Sequence, residues 1–180
     1  MPSLQGEKAV LFGCSAVARV GGAVFVVASD EERLQQLYYR VDAGVSAVWR
    51  SFRGYELRER LLADAASANE KLLGEFPPAL LPREFMADYS RLARNLFRAL
   101  PAGQSTVTGI DFSEIALRAA GTLAAGVPAA REAAEFERSC QEEAARILSG
   151  DGPVEESAVR EIRKRSGVWA LQYQRLVRPQ

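Results

Sequence analysis

Residues Gly109–Gly126, GIDFSEIALRAAGTLAAG, contain the pattern that decides the fold. The stretch has helical length but little bulk on any face, because it carries a set of small residues: Ala116, Ala119, Ala120, Gly121, Ala124 and Ala125. A glycine inside a helix costs roughly 0.5–1 kcal/mol relative to alanine, so close packing has to compensate for Gly121. Small residues let neighbouring helices approach from several sides. The pattern predicts a central helix, which we expect to be the most buried helix of a bundle.

Helical periodicity extends on both sides of this stretch. Ser29 and Glu32 have the spacing of a capping box, which predicts that a helix starts there. Apolar residues then recur at intervals of three and four in four segments, which are Leu34–Val48, Leu57–Leu72, Phe85–Leu100 and Ala133–Leu148. Pro82 and Pro128 suit the first turn of a helix, and residues 101–106 predict a loop.

The C-terminal part predicts two shorter helices, Val154–Arg165 and Val168–Val177, separated at Ser166-Gly167. Together these segments indicate about seven helices joined by short loops. We therefore expect one all-α domain over residues 29–177, a compact bundle around a small-residue central helix.

The N-terminal segment, residues 1–28, allows several structures. Ala9–Ala28 is apolar and as long as a membrane span, but Arg19 lies in its middle and glycines interrupt it. A signal peptide would carry basic residues earlier and a clearer cleavage site. A dinucleotide-binding unit needs GxGxxG spacing, which Gly13, Gly21 and Gly22 lack, and a longer crossover than about ten residues. A buried strand pair, a helix and an arm packed on a neighbour all stay open, and we expect no membrane span in this chain.

Composition limits the functional classes. The 180 residues are 48% hydrophobic and 26% charged, as in a soluble globule, and the 23 basic residues balance the 23 acidic ones. Net charge therefore favours neither nucleic acid nor an anionic membrane as a partner. The chain has no histidine, the commonest general base and zinc ligand, and only two distant cysteines, Cys14 and Cys140. We expect free thiols, no metal site, no cofactor and no enzymatic activity.

Two segments resemble the homology motifs of the B-cell lymphoma 2 (Bcl) family of apoptosis regulators. Leu96-Phe97-Arg98 followed by Gly109–Ile115 resembles the first motif, in which a helix ending Leu-Phe-Arg leads to Gly-x-Asn-Trp-Gly-Arg at the start of a small-residue central helix. Ile162–Trp169 resembles the second motif, an amphipathic helix with a glycine turn and a tryptophan. Arginine- and alanine-rich composition, typical of a GC-rich genome, further suggests a viral member from a large DNA virus.

The resemblance implies a Bcl-like helical domain that inhibits apoptosis by binding the amphipathic death helix of pro-apoptotic Bcl-family proteins in a surface groove. Implied groove residues are Leu61, Leu62, Phe85, Tyr89, Leu92, Leu96, Gly109, Phe112, Glu114, Ile115, Arg118, Trp169 and Leu171. In the family, a motif arginine pairs with an aspartate of the ligand helix. Glu114 stands at that place here, and Arg118, one turn further on, is the substitute cation that the sequence offers.

An alternative function follows from the same resemblance. A Bcl-like viral adaptor would block innate immune signalling through its outer helix faces without binding death helices. The resemblance implies a cytoplasmic protein, in the host cell if it is viral, with mitochondria as a site of action, and it leaves self-association open. No apolar tail follows Val177, so we expect this chain to lack the membrane anchor that is usual in the family.

Overall fold

A computed structural model describes residues 4–99, 109–150 and 152–178. They form an all-α bundle, as predicted. Its helices are α1 (Gly6–Ala28), α2 (Glu32–Ser51), α3 (Glu59–Glu75), α4 (Arg83–Ala99), α5 (Gly109–Gly126), α6 (Ala133–Leu148) and α7 (Glu156–Val177), with a 3-10 turn at Pro128–Ala130. The loop predicted over residues 101–106, and Leu100 at the end of its helix, lie outside the described residues.

The N-terminal segment forms the central helix of the bundle. α1 packs against α2, α4, α5, α6 and α7, and nearly its whole length is buried. The expectation that α5 is the most buried helix is therefore wrong. α5 buries one face, including Phe112, Ala116 and Ala120, whereas its Ala125 is exposed and Gly121 has no neighbouring atoms outside its own helix within reach of a β-carbon.

α1 is long and apolar enough to cross a membrane by length and composition alone. Of its most apolar window, 83% is buried inside the bundle. Core helices of soluble proteins and signal sequences share this profile. Among the helices of the described residues, only α1 has this combination of length and hydropathy.

The first and last helices pack side by side in parallel. The hydroxyl groups of Ser15 in α1 and Ser166 in α7 share a hydrogen bond, and the side chain of Arg178 pairs with Asp30 at the other end. Between these points, a β-carbon placed on Gly22 would overlap the backbone carbonyl oxygen of Ala170. Glycine is therefore required at position 22, because any side chain would push the two helices apart.

Two predicted helix boundaries are wrong for physical reasons. The Ser29 hydroxyl donates to the Val26 carbonyl at 2.8 Å at the end of α1, so it does not cap α2, which begins at Glu32 without a side-chain cap. α7 continues through Ser166-Gly167 without a break. The Ser166 hydroxyl donates to the Ile162 carbonyl at 2.6 Å within the helix, and the exposed Gly167 is tolerated there.

A buried ion pair joins α1 to α6 in the centre of the bundle. The guanidinium of Arg19 donates from Nε and Nη2 to the carboxylate of Glu137 at 2.7–3.0 Å, and neither side chain is exposed. Its Nη1 donates to Ser15 at 2.9 Å. Burial alone would lower the pKa of Arg19, but the Glu137 carboxylate outweighs it and raises that pKa above its ordinary value.

Other buried groups complete the hydrogen bonding of Glu137. Tyr173 and Gln141 each donate to the carboxylate at 2.9 Å, and Ser113 donates to the side-chain oxygen of Gln141 at 2.6 Å. Trp169 is only 6% exposed, and the centre of its ring lies 5.9 Å from the Arg19 guanidinium carbon. The network fixes α1, α5, α6 and α7 relative to one another, because each buried polar group needs its partner.

Candidate partner-binding cleft

Helices α3 and α4 meet in an antiparallel pair whose outer seam is open. A seven-residue connection from Phe76 to Pro82 links them, and Asn69 of α3 contacts Ser90 of α4. Leu62 and Leu72 of α3 face the core, as do Leu92 and Leu96 of α4. Ala63 and Leu73, which each follow one of these core leucines of α3, line the seam on the solvent side.

We call this hollow the α3–α4 cleft. Its volume is about 320 Å³, and it is lined by Glu59, Leu62, Ala63, Ala66, Asn69, Glu70, Arg94, Phe97 and Arg98. Leu62 and Phe97 are 5% and 4% exposed, so only a small part of each reaches the cleft. Ala66, half-buried between them, leaves space above the floor. The floor is therefore apolar and shaped by one small residue.

The two walls of the cleft carry opposite charges. Glu59 and Glu70 lie on the α3 side, whereas Arg94 and Arg98 lie on the α4 side. Glu59, Glu70 and Arg98 are exposed, and Arg94 is half-buried. A ligand that fits these walls carries basic groups toward α3 and acidic or polar groups toward α4.

A second hollow of about 610 Å³ continues the seam beyond Glu70. Leu73, Phe76, Leu81 and Met86 contribute apolar surface to it. Since α3 has 17 residues at about 1.5 Å per residue, the two hollows follow a seam of roughly 25 Å. This length suits a ligand helix of four to five turns.

Two polar groups on opposite sides of the cleft are buried without a hydrogen-bond partner in the described part of the chain. They are the side-chain oxygen Oδ1 of Asn69 and the Nε–H of Arg94. Leaving a buried donor or acceptor unpaired costs about 1–3 kcal/mol. Among the described residues these two side chains alone have such an atom, and both line the same cleft.

Of the residues implied by the family resemblance, only Leu62 lines this cleft. Leu61 lies on the other side of α3, in a hollow shared with Ala47 and Arg50 of α2. Seven of the implied residues are buried in the core, each at 7% exposure or less: Phe85, Tyr89, Leu92, Leu96, Phe112, Ile115 and Trp169. These seven side chains support the bundle from inside and do not line an open groove.

The remaining implied residues lie elsewhere. Gly109 is the first residue of α5, and Glu114 is exposed on that helix. Leu171 is 54% exposed on the outer side of α7, one turn from Val168, which is 55% exposed. The glycine turn that the second motif would have at Gly167 is part of the continuous α7.

Arg118 is held by an intramolecular partner. Its Nε donates to both carboxylate oxygens of Asp88 at 2.8 and 3.0 Å, and its Nη2 donates at 2.7 Å. This hydrogen bonding raises the pKa of Arg118, and the Asp88 side chain is only 7% exposed. An incoming carboxylate would have to displace Asp88, so Arg118 is poorly placed to act as the substitute cation.

Sequence reasoning missed Asn69, Arg94 and Arg98 as site residues. A signal for part of the set existed, since Arg94, Phe97 and Arg98 have the i, i+3, i+4 spacing of one helix face. Asn69 gave no such signal, because its importance depends on Ser90, 21 residues away.

The described residues contain no cluster of three or more metal-ligating side chains. Burial raises the pKa of the Cys14 thiol well above its usual value and that of Cys140 to about 12. Both thiols are therefore protonated at neutral pH and are poor nucleophiles. Comparison with known proteins adds no relationship: no family model, no curated protein and no solved structure matches this chain.

Proposed function

We propose that the protein binds the amphipathic death helix of a pro-apoptotic Bcl-family protein in the α3–α4 cleft and thereby restrains apoptosis of a host cell. The observation that carries the proposal is the cleft itself, an apolar floor between an acidic α3 wall and a basic α4 wall. The resemblance at Leu96–Arg98 and Gly109–Ile115 supports the choice of partner.

Recognition of a helix in such a cleft depends on apolar anchors. Each buried large apolar side chain contributes about 1.5–3 kcal/mol, and three or four anchors fit a ligand of four to five turns. Loss of rotational freedom and ordering of side chains offset part of this gain. We expect sub-micromolar affinity for a matched helix.

The charged walls orient the ligand. A helix with basic residues on one flank and acidic residues on the other lies with the basic flank along Glu59 and Glu70. Its acidic flank then lies along Arg94 and Arg98. Because Asp88 occupies Arg118, we expect binding to depend little on Arg118 and more on the two cleft arginines.

Calorimetric titration with a panel of death-helix peptides tests the proposal. Ala66→Glu places a charge above the apolar floor and should weaken binding at least about tenfold while the protein stays folded. The matched control is Ser67→Glu, which adds the same charge at the next, exposed position of α3 outside the cleft. Equal effects of the two variants would contradict binding in this cleft.

The second candidate function is the signalling adaptor, which the exposed pair Val168 and Leu171 on α7 favours. A folded protein that binds no death-helix peptide at tens of micromolar would support it. In a cell-based innate-signalling reporter, Leu171→Asp should then abolish inhibition, and Ala66→Glu should leave it intact.

A further inference from the structure

We infer that the α3–α4 cleft recognises a carboxamide side chain, an asparagine or glutamine, on the helix that it binds. The inference rests on the proposed function and adds the chemistry of one ligand position. It depends on two unpaired polar groups, Asn69 Oδ1 on the α3 wall of the cleft and Arg94 Nε–H on its α4 wall.

The orientation of the Asn69 side chain follows from its partners. Its amide nitrogen donates to the backbone carbonyl of Ser90 at 3.0 Å and to the Ser90 hydroxyl at 2.9 Å. A carbonyl oxygen can only accept a hydrogen bond, so the amide nitrogen must face Ser90. The Oδ1 atom is consequently the group left over, and it requires a donor.

The unpaired group of Arg94 is a hydrogen-bond donor, whereas that of Asn69 is an acceptor. A guanidinium group carries N–H donors and no acceptor, so the Nε–H of Arg94 requires an acceptor. Arg98 on the same wall is exposed and can satisfy its guanidinium with water. Arg94 is half-buried, and its Nε is shielded from solvent.

A carboxamide supplies both missing partners from one planar group. Its N–H donates to Asn69 Oδ1, and its oxygen accepts from Arg94 Nε–H. A carboxylate can only accept and would place negative charge against Asn69 Oδ1, and an ammonium group can only donate. Because both protein atoms are shielded in the free protein, the ligand reaches them when the half-buried Arg94 side chain shifts toward solvent. Pairing then removes the cost of two unsatisfied buried groups, which selects this ligand chemistry over an apolar one.

The experiment uses one death-helix peptide that binds the wild-type protein, with glutamine, glutamate or methionine at the position facing Asn69. These three side chains have nearly the same length, so the comparison isolates hydrogen bonding. We expect the glutamine peptide to bind about tenfold more tightly than either of the others. Arg94→Lys keeps the charge but removes Nε–H, and it should bring glutamine and methionine within about twofold of each other. Arg98→Lys is the matched control and should preserve the preference.

Equal affinities of the glutamine and methionine peptides for the wild-type protein would overturn the inference and leave the proposed function standing. If no peptide binds, a titration with propionamide or propionate, followed by NMR of the Asn69 side-chain amide, separates the two claims. A shift with propionamide alone would support the carboxamide site without the helix-binding function. No shift with either compound would overturn both.

Discussion

Arg19 and Glu137 lie 118 positions apart in the sequence, and their side chains form a fully buried bidentate ion pair. The pair is embedded between aromatic rings, since the Arg19 guanidinium carbon lies 5.4 Å from the ring centre of Phe12 and 5.9 Å from that of Trp169. Two charges in such surroundings depend on each other, because neither can be hydrated when the other is removed. Stability of the bundle therefore depends on both being present.

Glu137→Gln tests this dependence. The variant keeps the side-chain shape but leaves the Arg19 charge without its counter-ion, so we expect a loss of about 3–5 kcal/mol in the free energy of unfolding. Urea denaturation followed by circular dichroism measures it. Glu156→Gln removes an exposed carboxylate that pairs with Arg160 and should barely change stability. Similar small losses in both variants would show that the buried pair is not needed.

The small residues of α5 have different roles on its two faces. Ala119→Leu adds bulk to a fully buried position and should overpack the core at a cost of about 1–3 kcal/mol. Ala125→Leu, on the exposed face of the same helix, should leave stability nearly unchanged. Thermal denaturation of both variants gives the comparison, and an unaffected Ala119→Leu protein would contradict the packing described for α5.

Two glycine-to-alanine changes should have opposite signs. Gly22→Ala forces a β-carbon against the backbone of Ala170 and should lower the melting temperature by moving α1 away from α7. Gly121→Ala meets no neighbouring atom and should stabilise α5 by about 0.5–1 kcal/mol, because alanine favours the helix. A stabilising Gly22→Ala change would be incompatible with the close contact of α1 and α7.

We expect the folded protein to lose stability in alkaline solution because its thiols are buried. Burial raises the pKa of Cys140 from its ordinary value of 9.0 to about 12. Between these values the unfolded chain releases the thiol proton while the folded chain keeps it, so the free energy of unfolding falls as pH rises. The slope from this group is at most about 1.4 kcal/mol per pH unit. Urea denaturation of the wild-type and Cys140→Ala proteins at several pH values in this range should give a shallower slope for the variant, and identical slopes would contradict the prediction.

The all-α fold and most helix positions could be predicted from sequence, because amphipathic helices such as α3 and α4 show one apolar face. α1 could not be assigned from sequence because it has no single apolar face. It is buried on nearly all sides, so its apolar residues lack a 3.6-residue period and are compatible with a strand or a helix. The break predicted at Ser166-Gly167 failed because tertiary contacts of Ser166 with Ser15 and Trp169 with the core maintain the helix.

The candidate site was less predictable than the fold. Arg118 looked like a free cation in sequence, but its partner Asp88 lies 30 positions earlier on another helix. The unpaired atoms of Asn69 and Arg94 become visible only when every hydrogen bond around them is known. Pairings of this kind depend on the packing of separate helices, and no local pattern encodes them.

The side-by-side contact of α1 with α7 has a consequence for synthesis of the protein on the ribosome. The hydrogen bond between Ser15 and Ser166 spans 151 positions, and the central helix emerges long before its partner. A nascent chain that ends before α7 has a mostly apolar α1 with part of its surface uncovered and a charged Arg19 lacking Glu137 until α6 is made. Contacts of such large sequence separation slow folding and leave apolar surface exposed to association. We expect the unfinished chain to require a chaperone at α1, and its release to coincide with the docking of α7.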